Sequence, residues 1–204
     1  YSGVDPEQFV RNREYGSNGL VLHIARLVEK KGTEDLLCAL AKMENGLRPD
    51  LVVLGDGPLR GRLTSLVEHL GLTGRVTFKG FCSHDEVREW LNRADLLCVP
   101  SKTAKSGDSE GLPQVLLEAQ AMEVPVVATY HGAFKEAVKH GETGVLAPES
   151  DPDALADALA EVLKSPAMAK GMGQAGRRHI LANFNARLLG RKLASLYQGV
   201  LGQS

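Results

Sequence analysis

The chain has 204 residues, a typical globular apolar share of 43% and a formal net charge of −1 at pH 7. Nearly balanced charge gives no electrostatic basis for binding nucleic acid or a membrane surface. No apolar run reaches the roughly 18 residues of a membrane span. The start, Tyr1 to Asp5, lacks an initiating Met and a signal-peptide pattern, so we expect an excised part of a longer cytoplasmic protein. Cys38, Cys82 and Cys98 lack metal-ligand spacing, which predicts free core thiols in a reducing compartment.

Apolar runs alternate with segments of helical periodicity along most of the chain. Residues 1–18 are polar and turn-rich, and we expect them to form a hinge or linker. Six strands are predicted, at 20–25, 50–54, 75–79, 96–99, 124–128 and 144–146. Helices are predicted at 33–44, 59–70 and 84–93, from Pro113 to beyond Glu118, and at 133–140, 152–164, 166–182 and 185–201. Thr33 is expected to give the first helix a capping-type start, and Ser83 is expected to cap the third. Pro113 is expected to lie in the first turn of the fourth helix.

The strands are continuous apolar runs rather than alternating ones. This pattern predicts a parallel sheet covered by helices on both faces, which is a doubly wound, Rossmann-like α/β fold. Ligands of such folds bind at the carboxyl ends of the strands. Arg26, Gly55, Gly80, Ser101 and Glu110 all follow predicted strand ends, so we expect a ligand site at that edge of the sheet.

Two glycine- or cation-containing loops follow the first two strands. In the basic loop 26–32, Arg26 and Lys31 precede a helix and could clamp a diphosphate, although a solvated basic loop is the preferred interpretation when this loop is taken alone. Gly55 and Gly57 resemble part of a dinucleotide fingerprint. Pro58 removes an N–H from that turn and no ribose-binding carboxylate follows, so a tight strand-to-helix turn is the preferred interpretation.

A third loop carries Phe81 and Cys82, and Phe81 could stack on a base or fill a core. The fourth stretch, residues 108–119, changes from a polar loop into an apolar-periodic helix. Glu110 lies on its loop, and Glu118 lies on the helix away from the apolar face. The bland interpretation is an amphipathic helix with a chance pair of glutamates. The alternative is a nucleotide-sugar site, in which Glu118 binds ribose, the helix N-terminus holds phosphate and Glu110 reaches the sugar.

Taken together, the loops resemble a known family. The residues that carry the resemblance are Arg26, Lys31-Gly32, Gly55-x-Gly57, Glu110-Gly111-x-Pro113-x4-Glu118, the run 124–129, Gly132, Glu136, Gly141 and Gly144. Their order and spacing are similar to the C-terminal domain of retaining family-four glycosyltransferases with the GT-B fold. The runs 107–113 and 129–133 look most like the bacterial exopolysaccharide (colanic-acid-type) members.

The resemblance implies a role for each part of the site. Arg26 and Lys31 would neutralise the donor diphosphate, which is also the leaving group, and Glu118 would bind the ribose. Glu110 and the backbone after it would orient the donor sugar. The remaining donor-binding residues implied are Gly111, Leu112, Pro113, Gly55, Gly57, Phe81, Cys82 and Ser101. No metal or other cofactor is implied, and the donor is expected to be a UDP or GDP sugar.

Two positions depart from the family pattern. The family usually has Gly before the Arg, where this chain has Ala25, and a Gly pair where this chain has Gly132 and Ala133. The first change adds a methyl group near the diphosphate. The second alters the backbone freedom of that loop. Neither change removes a charged group, so the implied chemistry is retained.

The resemblance also implies a domain organisation. Residues 19–182 would form the nucleotide-sugar-binding domain, and the helix in 183–204 would pack toward an absent N-terminal domain that carries most contacts to a saccharide or lipid-linked acceptor. Only that absent part would contact a membrane, at the inner face. The isolated chain is therefore expected to bind nucleotide weakly and to transfer no sugar.

Three other functions stay open at this stage. A non-catalytic nucleotide- or sugar-binding module would keep the fold, although intact Arg26, Lys31, Glu110 and Glu118 disfavour it. Another GT-B enzyme, such as a sugar epimerase or a phosphorylase with lysine-bound pyridoxal phosphate, is the second alternative. A structural interaction domain is disfavoured because the polar groups converge at strand ends.

Overall fold

The structure, a computed structural model, describes residues 3–13 and 19–201. Its core is one six-stranded sheet in which every neighbouring pair of strands is parallel. The strands are β1 (Leu20–Ile24), β2 (Asp50–Leu54), β3 (Val76–Gly80), β4 (Leu96–Val99), β5 (Val126–Thr129) and β6 (Gly144–Ala147). Their spatial order is β3-β2-β1-β4-β5-β6, which confirms the predicted doubly wound fold.

Helices connect the strands and continue beyond the last one. They are α1 (Thr33–Lys42), α2 (Arg60–His69), α3 (His84–Arg93), α4 (Gln114–Ala121), α5 (Phe134–Ala137), α6 (Pro152–Leu163), α7 (Pro166–Asn183) and α8 (Ala186–Leu201). The basic loop 26–32 also contains a short 3-10 turn, Glu29–Lys31, which the sequence pattern does not predict. The helix predicted over 133–140 forms only its central turn.

Two apolar cores lie on opposite faces of the sheet because successive strand side chains point to opposite sides. Val21 belongs to the core shared with α1, α2 and α6. The next residue, Leu22, belongs to the core shared with α3, α4 and α5. Strands buried on both faces need apolar side chains at every position, which explains their continuous apolar runs.

The chain reverses its winding direction between β1 and β4. The segment after β1 leads to α1 on one face, and the segment after β4 leads to α4 on the other face. In doubly wound folds the loops diverge at such a point, so the expected ligand crevice lies at the carboxyl ends of β1 and β4. This is the expected ligand-binding edge.

The segment predicted as a hinge or linker is tied to the domain where the structure describes it. Val4 and Phe9 are buried in the apolar core. The Val4 N–H donates to the Phe184 carbonyl, and the Ala186 N–H donates to the Val4 carbonyl. Residues 14–18 of that predicted segment lie outside the described residues. The domain boundaries at 18 and 182 stay predictions.

Helix α8 has an apolar face that is largely exposed. Leu193, Leu196 and Tyr197 are 54%, 68% and 62% exposed. The apolar face of α8 is therefore the surface that the predicted packing toward another domain would cover.

Among the described residues, no helix is long and apolar enough to cross a membrane.

Local chemistry confirms one predicted helix start and corrects two others. Ser83 caps α3 in a reciprocal capping box with Glu86, as predicted. Thr33 is not a cap, because Gly32 occupies that position and the Thr33 hydroxyl faces the imidazole of His23 at 3.0 Å. Pro113 is the residue before α4 rather than part of its first turn, and its backbone is extended.

The approach of the β1–α1 turn to the end of β4 depends on Gly32. Its φ is +65°, and an added Cβ would lie 1.7 Å from the carbonyl oxygen of Pro100. Gly74 also has a positive φ, +85°, but its Cβ would meet nothing within 4 Å. The two glycines therefore separate backbone strain from steric collision.

We expect Gly32→Ala to lower the free energy of unfolding by about 3 kcal/mol or more, because the turn must withdraw from Pro100. Gly74→Ala is the matched control and should lower it by about 1 kcal/mol through backbone strain alone. Chemical denaturation measures both changes. Equal losses in the two variants would contradict the contact with Pro100.

Candidate functional site

The crevice between β1 and β4 is lined by a basic turn on one side and an acidic loop on the other. Lys31, in the turn after β1, forms an ion pair with Glu110, at the end of the loop after β4. Both side chains are 18% exposed. An ion pair at this depth is partly desolvated, yet an anionic ligand can still reach both groups.

Further contacts join the same two segments. Lys30 Nζ lies 3.1 Å from an oxygen of Asp108 and donates to the Ser109 carbonyl at 3.3 Å. Lys102 Nζ lies 2.8 Å from an oxygen of Asp35, and its backbone N–H donates to the Lys30 carbonyl at 2.9 Å. The loop 102–110 is thus held against residues 30–35 by charge pairs and main-chain bonds.

The two glycines of the Gly55-x-Gly57 motif allow a second close approach. A Cβ on Gly55 would lie 2.0 Å from the carbonyl oxygen of Ala25, and one on Gly57 would lie 2.6 Å from that of Leu27. The turn after β2 therefore packs directly on the backbone after β1. This geometry supports the tight-turn interpretation of the motif.

Arg26 is the exposed cation of the site. Its side chain has no hydrogen bond or ion pair within the described residues, in contrast to Lys31. A guanidinium that makes no internal contact can form a forked pair with a phosphate without breaking an existing bond.

Glu118 is a buried carboxylate on α4. Only 7% of the residue is exposed, and within the described residues its side chain makes no hydrogen bond. Burial raises the pKa of the Glu118 carboxyl above its ordinary value, although the nearby charge of His84 acts in the opposite direction. His84 is the first residue of α3, the helix that follows β3. A buried acceptor without an internal donor is costly to the fold and available to a ligand hydroxyl.

The other predicted donor-binding residues follow the carboxyl ends of β3 and β4, in different environments. Phe81, after β3, is 89% exposed, whereas Cys82 is half-buried against the α3–α4 core, which raises its thiol pKa. Ser101 is fully buried after β4, and its hydroxyl has no hydrogen-bond partner among the residues that the structure describes. Gly111 is exposed, Leu112 is half-buried and Pro113 is buried.

No role was predicted from the sequence for His131 or Glu149. His131 is 3% exposed at the end of β5, and its Nε2 accepts the Glu110 N–H at 2.9 Å. Its Nδ1 faces Glu149 Oε1, and Glu149 Oε2 accepts the Thr103 N–H at 2.9 Å. The only sequence signal was a histidine directly after a buried strand, since its partners lie about twenty residues away on either side.

The other chemically active side chains have structural explanations. His23 is buried between the Cys98 carbonyl and the Thr33 hydroxyl, and burial lowers its pKa to about 4, so it is neutral. Cys38, Cys82 and Cys98 are free thiols. Within residues 3–13 and 19–201, no three His, Cys, Asp or Glu side chains converge as a metal site would require.

Sequence comparison identifies the family. Residues 4–179 match the profile of the family described as glycosyl transferases group 1. WcaL of Salmonella typhimurium, a glycosyltransferase assigned to colanic acid biosynthesis, is 36% identical over 203 residues, which cover 97% of this chain and 50% of WcaL. A GDP-mannose-dependent α-(1-6)-phosphatidylinositol monomannoside mannosyltransferase of Mycolicibacterium smegmatis is 36% identical over 201 residues, 96% of this chain and 52% of that enzyme. The chain spans about half the length of these relatives.

Structural comparison agrees with the sequence. The crystal structure of Anabaena HepE in complex with UDP and glucose matches 98% of this chain and 56% of its own, with a TM-score of 0.86 and 23% identity. At that identity the likeness concerns the fold. The fold is Rossmann-like with additional helices after the last strand, and it matches GT-B glycosyltransferase structures.

The motif-based resemblance is thus confirmed by a profile that spans most of the chain. The chain belongs to the glycosyl transferases group 1 family.

Proposed function

We propose that this chain is the donor-binding domain of a retaining hexosyltransferase that moves a sugar from a nucleotide diphosphate sugar to an acceptor hydroxyl, in polysaccharide or glycolipid synthesis. The observation that carries the proposal is Glu118, a carboxylate buried on α4 without an internal hydrogen bond. Two ribose hydroxyls are donors that match such an acceptor. An isolated buried carboxylate lowers fold stability, so a ligand role explains its presence better than packing does.

The cations of the β1–α1 turn supply the diphosphate part of the site. Arg26 is exposed and without internal partners in the described chain, and Lys31 is paired with Glu110 in the crevice. A diphosphate carries enough negative charge to replace the Glu110 carboxylate as the partner of Lys31. Each charge-assisted contact contributes about 1.5–3 kcal/mol before the displaced pair is subtracted.

Glu110 then acts on the sugar. When the diphosphate takes over Lys31, the Glu110 carboxylate becomes free to accept hydroxyl groups of the donor sugar. The backbone of Gly111 and the residues after it lines the same place, because it leads directly into α4. In this proposal Lys31 and Glu110 hold each other in position until the donor arrives.

The reaction needs no protein nucleophile. The bond from the anomeric carbon to the diphosphate breaks, an oxocarbenium-like centre forms and the acceptor oxygen attacks from the face that the diphosphate leaves. The acceptor proton passes to the departing diphosphate oxygen. Arg26 and Lys31 stabilise the charge of the leaving group, so catalysis consists of electrostatic stabilisation and positioning.

The base is proposed to lie near the loop after β3, against the exposed ring of Phe81. The M. smegmatis relative is described as GDP-mannose-dependent, and HepE was solved with UDP and glucose. We therefore propose a sugar linked to UDP or to GDP as the donor for this chain. The free thiols fit a cytoplasmic location, where nucleotide sugars are made.

The acceptor side of the proposal involves a second domain. The chain spans about half the length of its relatives, and the apolar face of α8 is open to packing. We propose that a preceding domain covers part of this face and provides the contacts to a saccharide or lipid-linked acceptor.

Calorimetric titration of the chain with UDP, GDP and ADP should select one nucleotide. Glu118→Ala should lower the affinity for that nucleotide by about tenfold or more, because two ribose hydroxyls lose their acceptor. Glu161→Ala, an exposed glutamate on α6, is the control and should change nothing. Unchanged binding in Glu118→Ala would exclude the ribose assignment.

The same titration tests the diphosphate assignment. Lys31→Ala should lower the affinity for the selected nucleoside diphosphate by about tenfold but leave the affinity for the nucleoside almost unchanged. Lys42→Ala also removes a lysine that pairs with a carboxylate, Asp153, and serves as the matched control. Equal effects on nucleoside and nucleoside diphosphate would contradict a diphosphate contact.

The two acidic groups of the site should change stability with opposite signs. The raised pKa of Glu118 means that its ionised form destabilises the fold at neutral pH, whereas below the unfolded pKa both states are protonated. Glu118→Gln should therefore raise the free energy of unfolding at pH 7, and the gain should vanish on acidification.

Glu149 provides the opposite case. Partial burial acts to raise its pKa, but the Thr103 N–H and the His131 imidazole outweigh burial and hold the pKa of this carboxyl below its usual range. Its stabilisation is present above the unfolded pKa and is lost as pH falls through the folded pKa. Glu149→Gln should lower the free energy of unfolding at pH 7, with a deficit that shrinks in acid. Denaturant titrations at several pH values measure both variants, and changes of the same sign would contradict these assignments.

The isolated 204-residue chain should transfer no sugar, because the acceptor contacts are proposed to lie in another domain. A nucleotide-release assay with UDP-glucose and GDP-mannose measures this directly. Acceptor-dependent nucleotide release above the rate without enzyme would contradict the proposal that the acceptor contacts lie in another domain.

A further inference from the structure

The imidazole of His131 connects both ends of the loop that carries Glu110. Its Nε2 accepts the N–H of Glu110, at the end of the loop, at 2.9 Å. Its Nδ1 faces Glu149, whose other oxygen accepts the N–H of Thr103, at the start of the loop, at 2.9 Å. His131 and Glu149 thus form a bridge beneath the loop 102–110.

The hydrogen-bond partners define the tautomer of His131. Nε2 faces a backbone N–H, which can only donate, so Nε2 must carry the lone pair. Nδ1 then carries the proton and donates a hydrogen bond to the Glu149 carboxylate. Both ring nitrogens are satisfied in a side chain that is only 3% exposed, and the ring also meets the edge of Phe134 at 5.5 Å between centroids.

The backbone of Glu110 is constrained on both sides of its Cα. Its N–H is held by His131, and its carbonyl oxygen would lie 2.9 Å from a Cβ placed on Gly132, which has φ +46°. The Glu110 peptide therefore lies directly against residues 131 and 132, and the His131 imidazole holds its N–H. The Glu110 carboxylate points from that peptide to Lys31, across the crevice.

We propose that His131 is a positioning residue that, held by Glu149 as the Nδ1–H tautomer, fixes the Glu110 backbone so that the carboxylate addresses the donor sugar. The proposal rests on the donor role of Glu110 given above. His131 itself does not contact the donor in this arrangement. Its effect is to keep the loop from withdrawing when the diphosphate displaces the Glu110 carboxylate from Lys31.

Two substitutions separate the ring nitrogens. In His131→Gln the side-chain amide oxygen can reach the position of Nε2 and accept the Glu110 N–H. In His131→Asn the shorter amide reaches only the position of Nδ1, so Glu149 keeps a partner but Glu110 loses its acceptor. A purely packing role would make the two variants similar.

The first measurement is nuclear magnetic resonance of the 21.9 kDa chain without ligand. We expect a scalar coupling across the hydrogen bond from the Glu110 amide nitrogen to His131 Nε2, with the proton of the ring on Nδ1. A proton on Nε2, or no coupling for an assigned Glu110 amide, would overturn the proposal. This measurement does not depend on whether any variant folds.

The second measurement compares UDP-glucose with UDP, and GDP-mannose with GDP, by calorimetric titration. His131→Asn should reduce the affinity gained from the sugar by about fivefold, the effect of one lost hydrogen bond, and leave the affinity for the diphosphate nearly unchanged. His131→Gln should retain most of that gain. Equal behaviour of the Asn and Gln variants would overturn the positioning role.

A matched control exists in the same segment. His140 is exposed, and its Nδ1 accepts the Leu146 N–H at 3.0 Å. His140→Gln disturbs a comparable imidazole-to-backbone bond and should leave the Glu110 amide resonance and both affinity ratios unchanged. If the unsubstituted chain binds none of the four nucleotides, the proposed function fails, and the resonance measurement still decides the His131–Glu110 bond.

Discussion

The close contact between Gly32 and the Pro100 carbonyl is the constraint on which the site depends. β1 and β4 are neighbours whose helices lie on opposite faces, so the loops after them diverge. Gly32 brings the backbone of one segment against the other before they part, which places Lys31 beside the loop that ends at Glu110. The cross-loop charge pairs act over short distances and form only because this main-chain approach already exists.

Charge pairs connect the two segments of the site in both directions. Lys30 and Lys31 of the turn after β1 pair with Asp108 and Glu110 of the loop after β4, and Lys102 of that loop pairs with Asp35 on α1. In the proposed exchange, an anionic ligand takes the place of the Glu110 carboxylate beside Lys31 and releases that carboxylate. Glu118 differs, because its carboxylate makes no hydrogen bond within the described part of the chain, and burial raises its pKa above the ordinary value. The site thus combines one exchangeable pair with one vacant acceptor.

The sequence predicted the fold, whereas it contained no signal for the contacts between the charged residues of the candidate site. Strands buried on both faces leave a continuous apolar signal, and Arg26, Lys31, Glu110 and Glu118 are recognisable by spacing. The link from His131 to Glu149 and Glu110 has no local pattern, since it joins three loops that only the sheet brings together. Thr33 illustrates the same limit, because its hydroxyl leaves the capping position for an imidazole on β1.

The backbone bridge between Val4 and the α7–α8 junction has a kinetic meaning. Residues from nearly opposite ends of the described chain exchange main-chain hydrogen bonds there, with Phe184 and Ala186 on the far side. Contacts of such large sequence separation form only after the intervening sheet is in place, since loop closure is entropically unfavourable. Hydrogen bonds absent from the folding transition state act mainly on the rate of unfolding. We therefore expect these hydrogen bonds to form late in folding, so that they lower the unfolding rate of the domain without raising its folding rate.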